Sequence, residues 1–379
     1  MTTVTAHGFA QDRFASVREA FEANLNNGAD IGAGYTATLN GETVIDIWGG
    51  FADQAKTRAW EKDTLVNVYS TTKTMTFLVA LMLADRGLLD FDAPVSKYWP
   101  EFAANGKASV KVSHLMSHSA GLSGWKEPLT QADLYDWEKA TSLLAAQAPY
   151  WEPGTAPGYH AMTQGYLIGE VVRRITGQTL GTFFRKEVAE PLGADFHIGM
   201  GPEHDHRVAD LIPPPRGGIT AEGEENHLTT NRSTTPLINP LDTRTRAWRG
   251  AEIPAAGGQG NARSVAEIHT ILANGGMAKG KRFLSEAGCR KALEVQIEGK
   301  DMVLGTPVRY GMGFGLASEM MPLPNASSMY WGGYGGSLII IDMEARATYA
   351  YAMNKMAATT AGDMRAFGLV MATMQGMMV

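Results

Sequence analysis

Apolar residues at Phe14, Val17, Phe21 and Leu25 recur at the spacing of one helical face, so an amphipathic helix over residues 14–25 is expected to open the chain and pack on a sheet. The period then changes. Residues 34–39 and 42–48 are rich in β-formers and are separated by Asn40-Gly41, a pair that tolerates positive φ and suits a tight hairpin. Farther on, residues 71–85 contain neither glycine nor proline, are rich in Leu, Met and Ala, and stop before Gly87. This pattern predicts a buried helix with Ser70 at its mouth.

From residue 94 to 263 the pattern turns to short helices joined by Pro/Gly-rich loops, such as Trp151-Glu152-Pro153-Gly154 and Pro213-Pro214-Pro215-Arg216-Gly217-Gly218. A later helix is expected over 264–273, with Ser264 as N-cap and Glu267 closing a capping box. Strands follow at 313–317, 328–331, 337–341 and 347–353, then a last helix over 362–377. The expected fold is of mixed α/β (α+β) class, an antiparallel sheet flanked by helices. Residues 1–93 and 264–379 form the α/β domain and 94–263 a helical insertion, with the active site in the cleft between them.

Composition narrows the function. Of 379 residues, 44% are hydrophobic and 19% charged, an ordinary globular balance that excludes a disordered chain. A net charge of −6 with scattered basic residues excludes an electrostatic footprint for nucleic acid, so a small, neutral substrate is expected. No run reaches the ~20 apolar residues of a membrane helix. The lone Cys289 cannot form an internal disulfide, and the opening residues lack a basic start followed by an apolar stretch, so the expected compartment is the cytoplasm. Oligomeric state is not legible here.

The chemistry centres on Ser70-Thr71-Thr72-Lys73. On a helix, a spacing of three puts both side chains on one face, so the lysine can reach the serine hydroxyl. A serine needs an adjacent base to become a nucleophile, and a desolvated lysine can act as one. Ser123-Gly124-Trp125-Lys126 has the same spacing, but its glycine-flanked setting is a loop that would not hold both side chains on one face.

Four separated blocks carry a resemblance: Tyr69 to Lys73, Trp99-Pro100-Glu101-Phe102, Leu115 to Leu122, and Trp151-Glu152-Pro153-Gly154 followed by Tyr159. Together they resemble the family VIII carboxylesterases, which share the β-lactamase/transpeptidase-like fold of class C β-lactamases and penicillin-binding proteins. The resemblance implies that Ser70 is acylated, that Lys73 takes its proton and that Tyr159 shuttles a proton to the leaving alcohol. Which of Lys73 and Tyr159 is the primary base stays open. It also implies that Trp331-Gly332-Gly333-Tyr334 occupies the place of the K-T-G element, that the Tyr334 N–H joins that of Ser70 in an oxyanion hole, and that Trp331, Gly332, Gly333 and His160 line the substrate.

The departures from the lactamase pattern point to an ester. The S-D-N and K-T-G elements are missing, Ala161 stands at the third position of the Y-x-N triplet, and Trp331 replaces a lysine. Without that cation the site loses a partner for a lactam or peptide carboxylate. A small or short-acyl ester is therefore the expected substrate, with β-lactam or D-amino-acid amide cleavage and acyl transfer as alternatives of the same fold. A non-catalytic binding role is disfavoured by the intact triad. No cofactor and no metal are expected: His204 and His206 flank an acidic loop without a third ligand, and His118 reads as a buried, hydrogen-bonded histidine. Gly258-Gln259-Gly260-Asn261 lacks the setting of a nucleotide site and is expected to line the cleft or turn the chain.

Overall fold

The computed structural model describes residues 3–214, 236, 238–359 and 363–378. Its centre is a nine-stranded antiparallel sheet. From one edge to the other run His7–Ala10, Glu42–Gly50, Gly32–Leu39, Ala347–Met353, Leu338–Asp342, Ser328–Gly332, Gly315–Leu316, Pro307–Tyr310 and Ile297–Lys300. The hairpin is where the sequence places it: Leu39 pairs with Glu42 across Asn40 and Gly41, which take φ of 52° and 85°.

Alternation along the central strands assigns each sheet face to a helix. Tyr35 points to the C-terminal helix Met364–Met377, where its hydroxyl meets Thr373 Oγ1 at 2.7 Å. Thr348, paired through its hydroxyl with Thr38, reaches the opposite helix, Ala262–Ala273, at the Ala266 carbonyl. The opening helix, Ala15–Asn26, packs beside the C-terminal one and buries Val17, Phe21 and Leu25, with Phe14 buried just ahead of it. Lys73–Asp85 is apolar all round and every residue from Lys73 to Leu83 is buried, as expected of a helix enclosed between the sheet and the helical region.

Two expectations about these elements need correction, and three strands went unread. The cap of Ala262–Ala273 is Asn261, whose side chain accepts the Ser264 N–H while the Ser264 hydroxyl accepts the Asn261 N–H. Ser264 is thus the third helical residue and completes the box itself. The strand expected over 313–317 shrinks to Gly315–Leu316, because Gly313 turns the chain at φ 103°. The strands His7–Ala10, Ile297–Lys300 and Pro307–Tyr310 had no strong signal. Residues 215–218 of the proline-rich loop and Gly362 at the start of the last expected helix lie outside the described residues, and that helix is seen from Met364, capped by Asp363. Among the described residues no helix is long and apolar enough to cross a membrane.

Candidate active site

The approach to Ser70 is built by backbone pairing. Val66–Asn67 pairs with Gln259–Gly260, and the Val68 N–H continues to the Gly258 carbonyl at 3.0 Å. The glycine-rich 258–261 segment therefore braces the strand that delivers the serine. Tyr69 then takes φ 43°, a left-handed conformation that costs a residue with a Cβ about 1 kcal/mol or more. Tyr69–Thr72 forms a 3₁₀ turn leading directly into Lys73–Asp85. Ser70 is only partly covered, whereas Lys73 is fully buried.

The Lys73 amine and the Ser70 hydroxyl lie 3.1 Å apart, and the Tyr159 hydroxyl donates to the same Ser70 oxygen at 2.6 Å. Lys73 Nζ also donates to the carbonyls of Ala161 at 2.6 Å and Ala255 at 3.0 Å. Burial alone pushes the lysine well below its ordinary range. As a neutral amine it would give its two hydrogens to the carbonyls and leave its lone pair for the Ser70 O–H. Burial raises the Tyr159 phenol above its ordinary value, against a smaller opposing effect of the Ser70 hydrogen bond. Tyr159 is thereby held as a neutral O–H donor.

Tyr159 is seated by a buttressed loop. Its N–H goes to Asp301 Oδ1 at 3.1 Å, and the same oxygen accepts the N–H groups of Val303 and Leu304, each at 2.8 Å. Trp151 packs on Gly158, where an added Cβ would come within 2.4 Å of the indole. The Gly158 N–H in turn reaches the His118 carbonyl, and the Gly154 N–H reaches that of Ser119. The Trp151 and Leu115–Leu122 blocks of the sequence thus meet around Tyr159.

His118 and His160 are both fully buried. His118 accepts the His160 N–H at Nδ1 and stacks on Trp331, with ring centroids 5.4 Å apart. His160 corrects an expectation: its Nδ1 faces the Gly158 carbonyl at 2.6 Å and its Nε2 accepts the Leu122 N–H at 3.0 Å. Held to about 4 by burial, it stays neutral with both nitrogens occupied, so its side chain has no free group for substrate.

Trp331 is the penultimate residue of the strand Ser328–Gly332 and is 5% exposed among the rings of Phe77, His118, Tyr159 and Tyr310. Its indole N–H has no hydrogen-bond partner among the described residues. Gly332 pairs with Leu338, and Gly333 follows against the serine turn. A Cβ on Gly333 would lie 2.2 Å from the Val68 oxygen and 3.3 Å from the Ser70 nitrogen, so only glycine allows this approach. Ser337 ties the two segments, donating to the Val68 carbonyl and meeting the Thr71 hydroxyl. Among the described residues neither the Ser70 N–H nor the Tyr334 N–H has a protein acceptor.

The Ser123 segment is an irregular loop, unlike the helix that carries Ser70 and Lys73. His204 sits in a polar cluster, its ring tilted against that of His197 and in contact with Arg207. Residues 17–370 match the family model described as Beta-lactamase. The chain belongs to this family. Within it, the chain is similar to a family VIII carboxylesterase of known structure, at 42% identity and TM-score 0.92 over 98% of this chain and 99% of that one. It also resembles a penicillin-binding protein homologue from Caulobacter crescentus, at 36% identity and TM-score 0.92 over 98% and 99% of the two chains. Esterase/beta-lactamase LipL of Mycobacterium tuberculosis is 35% identical over 92% of this chain and 83% of its own length. The resemblance read from the sequence blocks and the β-lactamase-like fold are both borne out, and the chain is a serine hydrolase of the Beta-lactamase family.

The sequence did not reveal the Ala161 and Ala255 carbonyls, Asp301 or Ser337. The carbonyls carry no residue signature. Asp301 and Ser337 lie far from Ser70 in the chain and become meaningful only through the fold.

Proposed function

We propose that this protein is a carboxylesterase that hydrolyses small or short-acyl esters through an acyl-enzyme on Ser70. The observation that carries the reading is the convergence of Lys73 Nζ and Tyr159 OH on one serine oxygen, beside a wall formed by Trp331 where lactamases place a lysine. Named relatives that are esterases support it, including LipL and Esterase EstB of Burkholderia gladioli.

In this mechanism Ser70 Oγ attacks the ester carbonyl as its proton passes to neutral Lys73. The N–H groups of Ser70 and Tyr334 stabilise the resulting oxyanion. Collapse breaks the bond to the alcohol, whose oxygen takes the Tyr159 proton, and the Lys73 ammonium reprotonates the phenolate. Water then attacks the acyl-enzyme with the same groups acting in reverse, returning the Ser70 hydroxyl and releasing the acid. In this reading Lys73 is the primary base, because burial favours the neutral form of both the amine and the phenol. The cleft is read as lying between residues 1–93 with 264–379, which supply Ser70, Lys73 and Tyr334, and 94–263, which supplies Tyr159 and the Ala161 and Ala255 carbonyls.

The test is a turnover panel on one preparation: p-nitrophenyl esters of increasing acyl length, nitrocefin and a D-alanyl amide. Highest kcat/KM on a short ester supports the reading. Highest kcat/KM on nitrocefin or the amide replaces it with a lactamase or amidase.

A further inference from the structure

The turn that presents the Tyr334 N–H has an anchor outside the catalytic groups. Gly335 and Gly336 take φ of 97° and 124°, and the turn closes on itself through Gly336 N–H to Gly333 O and Gly333 N–H to Ser337 O. Such a glycine pair has wide conformational freedom and needs outside contacts to hold one shape. The Gly335 carbonyl receives two: the Ala357 N–H at 2.9 Å and Arg365 Nη2 at 3.0 Å.

Arg365 lies in the first turn of Met364–Met377, and its side chain is only 11% exposed. Its Nη1 donates to Asp30 Oδ1 at 2.8 Å and to the carbonyls of Lys355 at 2.8 Å and Ala29 at 3.2 Å. Its Nε lies 3.1 and 3.0 Å from the two oxygens of Asp363, and its Nη2 also meets that carboxylate. Asp30 is held in turn by the Tyr351 hydroxyl at 2.6 Å. The fit to the turn is close: a Cβ on Gly336 would sit 2.2 Å from Asp363 Oδ2 and 2.9 Å from Arg365 Nη2. One cation shared by two buried carboxylates adds no net positive charge to the region. Its effect on the turn is therefore geometric.

We infer that Arg365 is a positioning residue for the oxyanion hole, fixing the Gly335 carbonyl and through it the Tyr334 N–H. The inference rests on the reading of Tyr334 as an oxyanion donor. An oxyanion donor acts on the tetrahedral state more than on the bound ester, so its misplacement lowers kcat with little change in KM. A guanidinium that merely fastened the last helix to the sheet would change stability without that split.

The experiment compares wild type, Arg365→Lys and Asp363→Asn. The lysine keeps the charge but cannot serve Gly335, Asp363 and Asp30 together. The asparagine keeps Arg365 and nearly the same shape, so it remains informative should the first variant fold poorly. Each is assayed for kcat and KM on p-nitrophenyl butyrate, for thermal midpoint, and for inhibition by butylboronic acid, whose serine adduct is tetrahedral. The expected result for Arg365→Lys is a kcat lower by about tenfold or more, a KM within about twofold, and boronate inhibition weakened in parallel with kcat. Asp363→Asn should shift in the same direction by less. Unchanged kcat and boronate affinity in folded variants, even with a lower thermal midpoint, would overturn the inference. Ser70→Ala is run alongside: if it still turns over the ester, the underlying reading of the site fails, whereas a dead Ser70→Ala beside a normal Arg365→Lys removes only the positioning role.

Discussion

Asp301 accepts the backbone N–H of Tyr159 at 3.1 Å, and through the same oxygen it fixes two further N–H groups, so one buried side chain sets where the phenol stands. Burial raises this carboxyl above its ordinary range, so its value to the site lies in accepting hydrogen bonds. Asp301→Asn keeps an acceptor oxygen and is expected to retain near wild-type kcat. Asp301→Ala takes the acceptor from three buried or part-buried N–H groups and from the Tyr310 hydroxyl, and should cost about 2 kcal/mol or more in urea unfolding, with kcat down about tenfold. Equal damage from both substitutions would show that the charge, not the acceptor, matters.

The pH dependence follows from the two shifted groups. Lys73 sits well below its ordinary 10.5, so kcat/KM on p-nitrophenyl acetate should hold across neutral pH and fall as acidification protonates the amine. Tyr159 sits above its ordinary 10.0, so no alkaline loss from the phenol is expected up to about pH 9. An activity that instead rises with a midpoint near 10.5 would mean that Lys73 is an ammonium at neutral pH.

The same shift has a stability counterpart. Below 10.5 the unfolded chain binds a proton that folded Lys73 refuses, so this residue costs stability that grows as pH falls toward the depressed value. Lys73→Met should therefore gain stability relative to wild type as pH is lowered from about 10 to 7, read from unfolding midpoints. A difference independent of pH would contradict the burial argument.

Lys73→Ala and Tyr159→Phe should each lower kcat by at least about 10²-fold, because both act on the Ser70 oxygen. In the proposed mechanism they form one proton circuit. The double variant is expected to be little worse than the more damaged single, and multiplicative losses would count against a shared circuit.

How far the sequence reached depended on whether a feature is local. Ser70 and Lys73 were legible because a glycine-free apolar run fixes a helix and their spacing fixes one face. Tyr159 was legible only through the blocks around it. His160 was misassigned because adjacency to Tyr159 says nothing of direction, and its ring turns to the Gly158 and Leu122 backbone. The edge strand Ile297–Lys300 and its neighbour Pro307–Tyr310 escaped notice because Gly299 interrupts one and Pro307 opens the other, and the alternation of four-residue runs is too short to register. The cap at Asn261 was placed three residues late because Ser264 and Glu267 have the same spacing as a true box.

The proposed ester preference rests on Trp331. Loss of a charge-assisted contact forfeits about 1.5–3 kcal/mol, so p-nitrophenyl acetate or butyrate should exceed nitrocefin in kcat/KM by at least about tenfold. Trp331→Lys should narrow that gap. It should also lower the thermal midpoint, because Trp331 is packed among four aromatic rings. An unchanged ratio in a folded variant would remove Trp331 from the account of specificity.

The central claim is that catalysis passes through a covalent ester on Ser70, and quenched intact-mass spectrometry with peptide mapping tests it most directly. With a slowly deacylating ester or a fluorophosphonate, the account predicts one adduct on the peptide bearing Ser70. It predicts no adduct and no turnover in Ser70→Ala, and wild-type behaviour in Ser123→Ala. An adduct on another residue, or ester hydrolysis that survives Ser70→Ala, would contradict it.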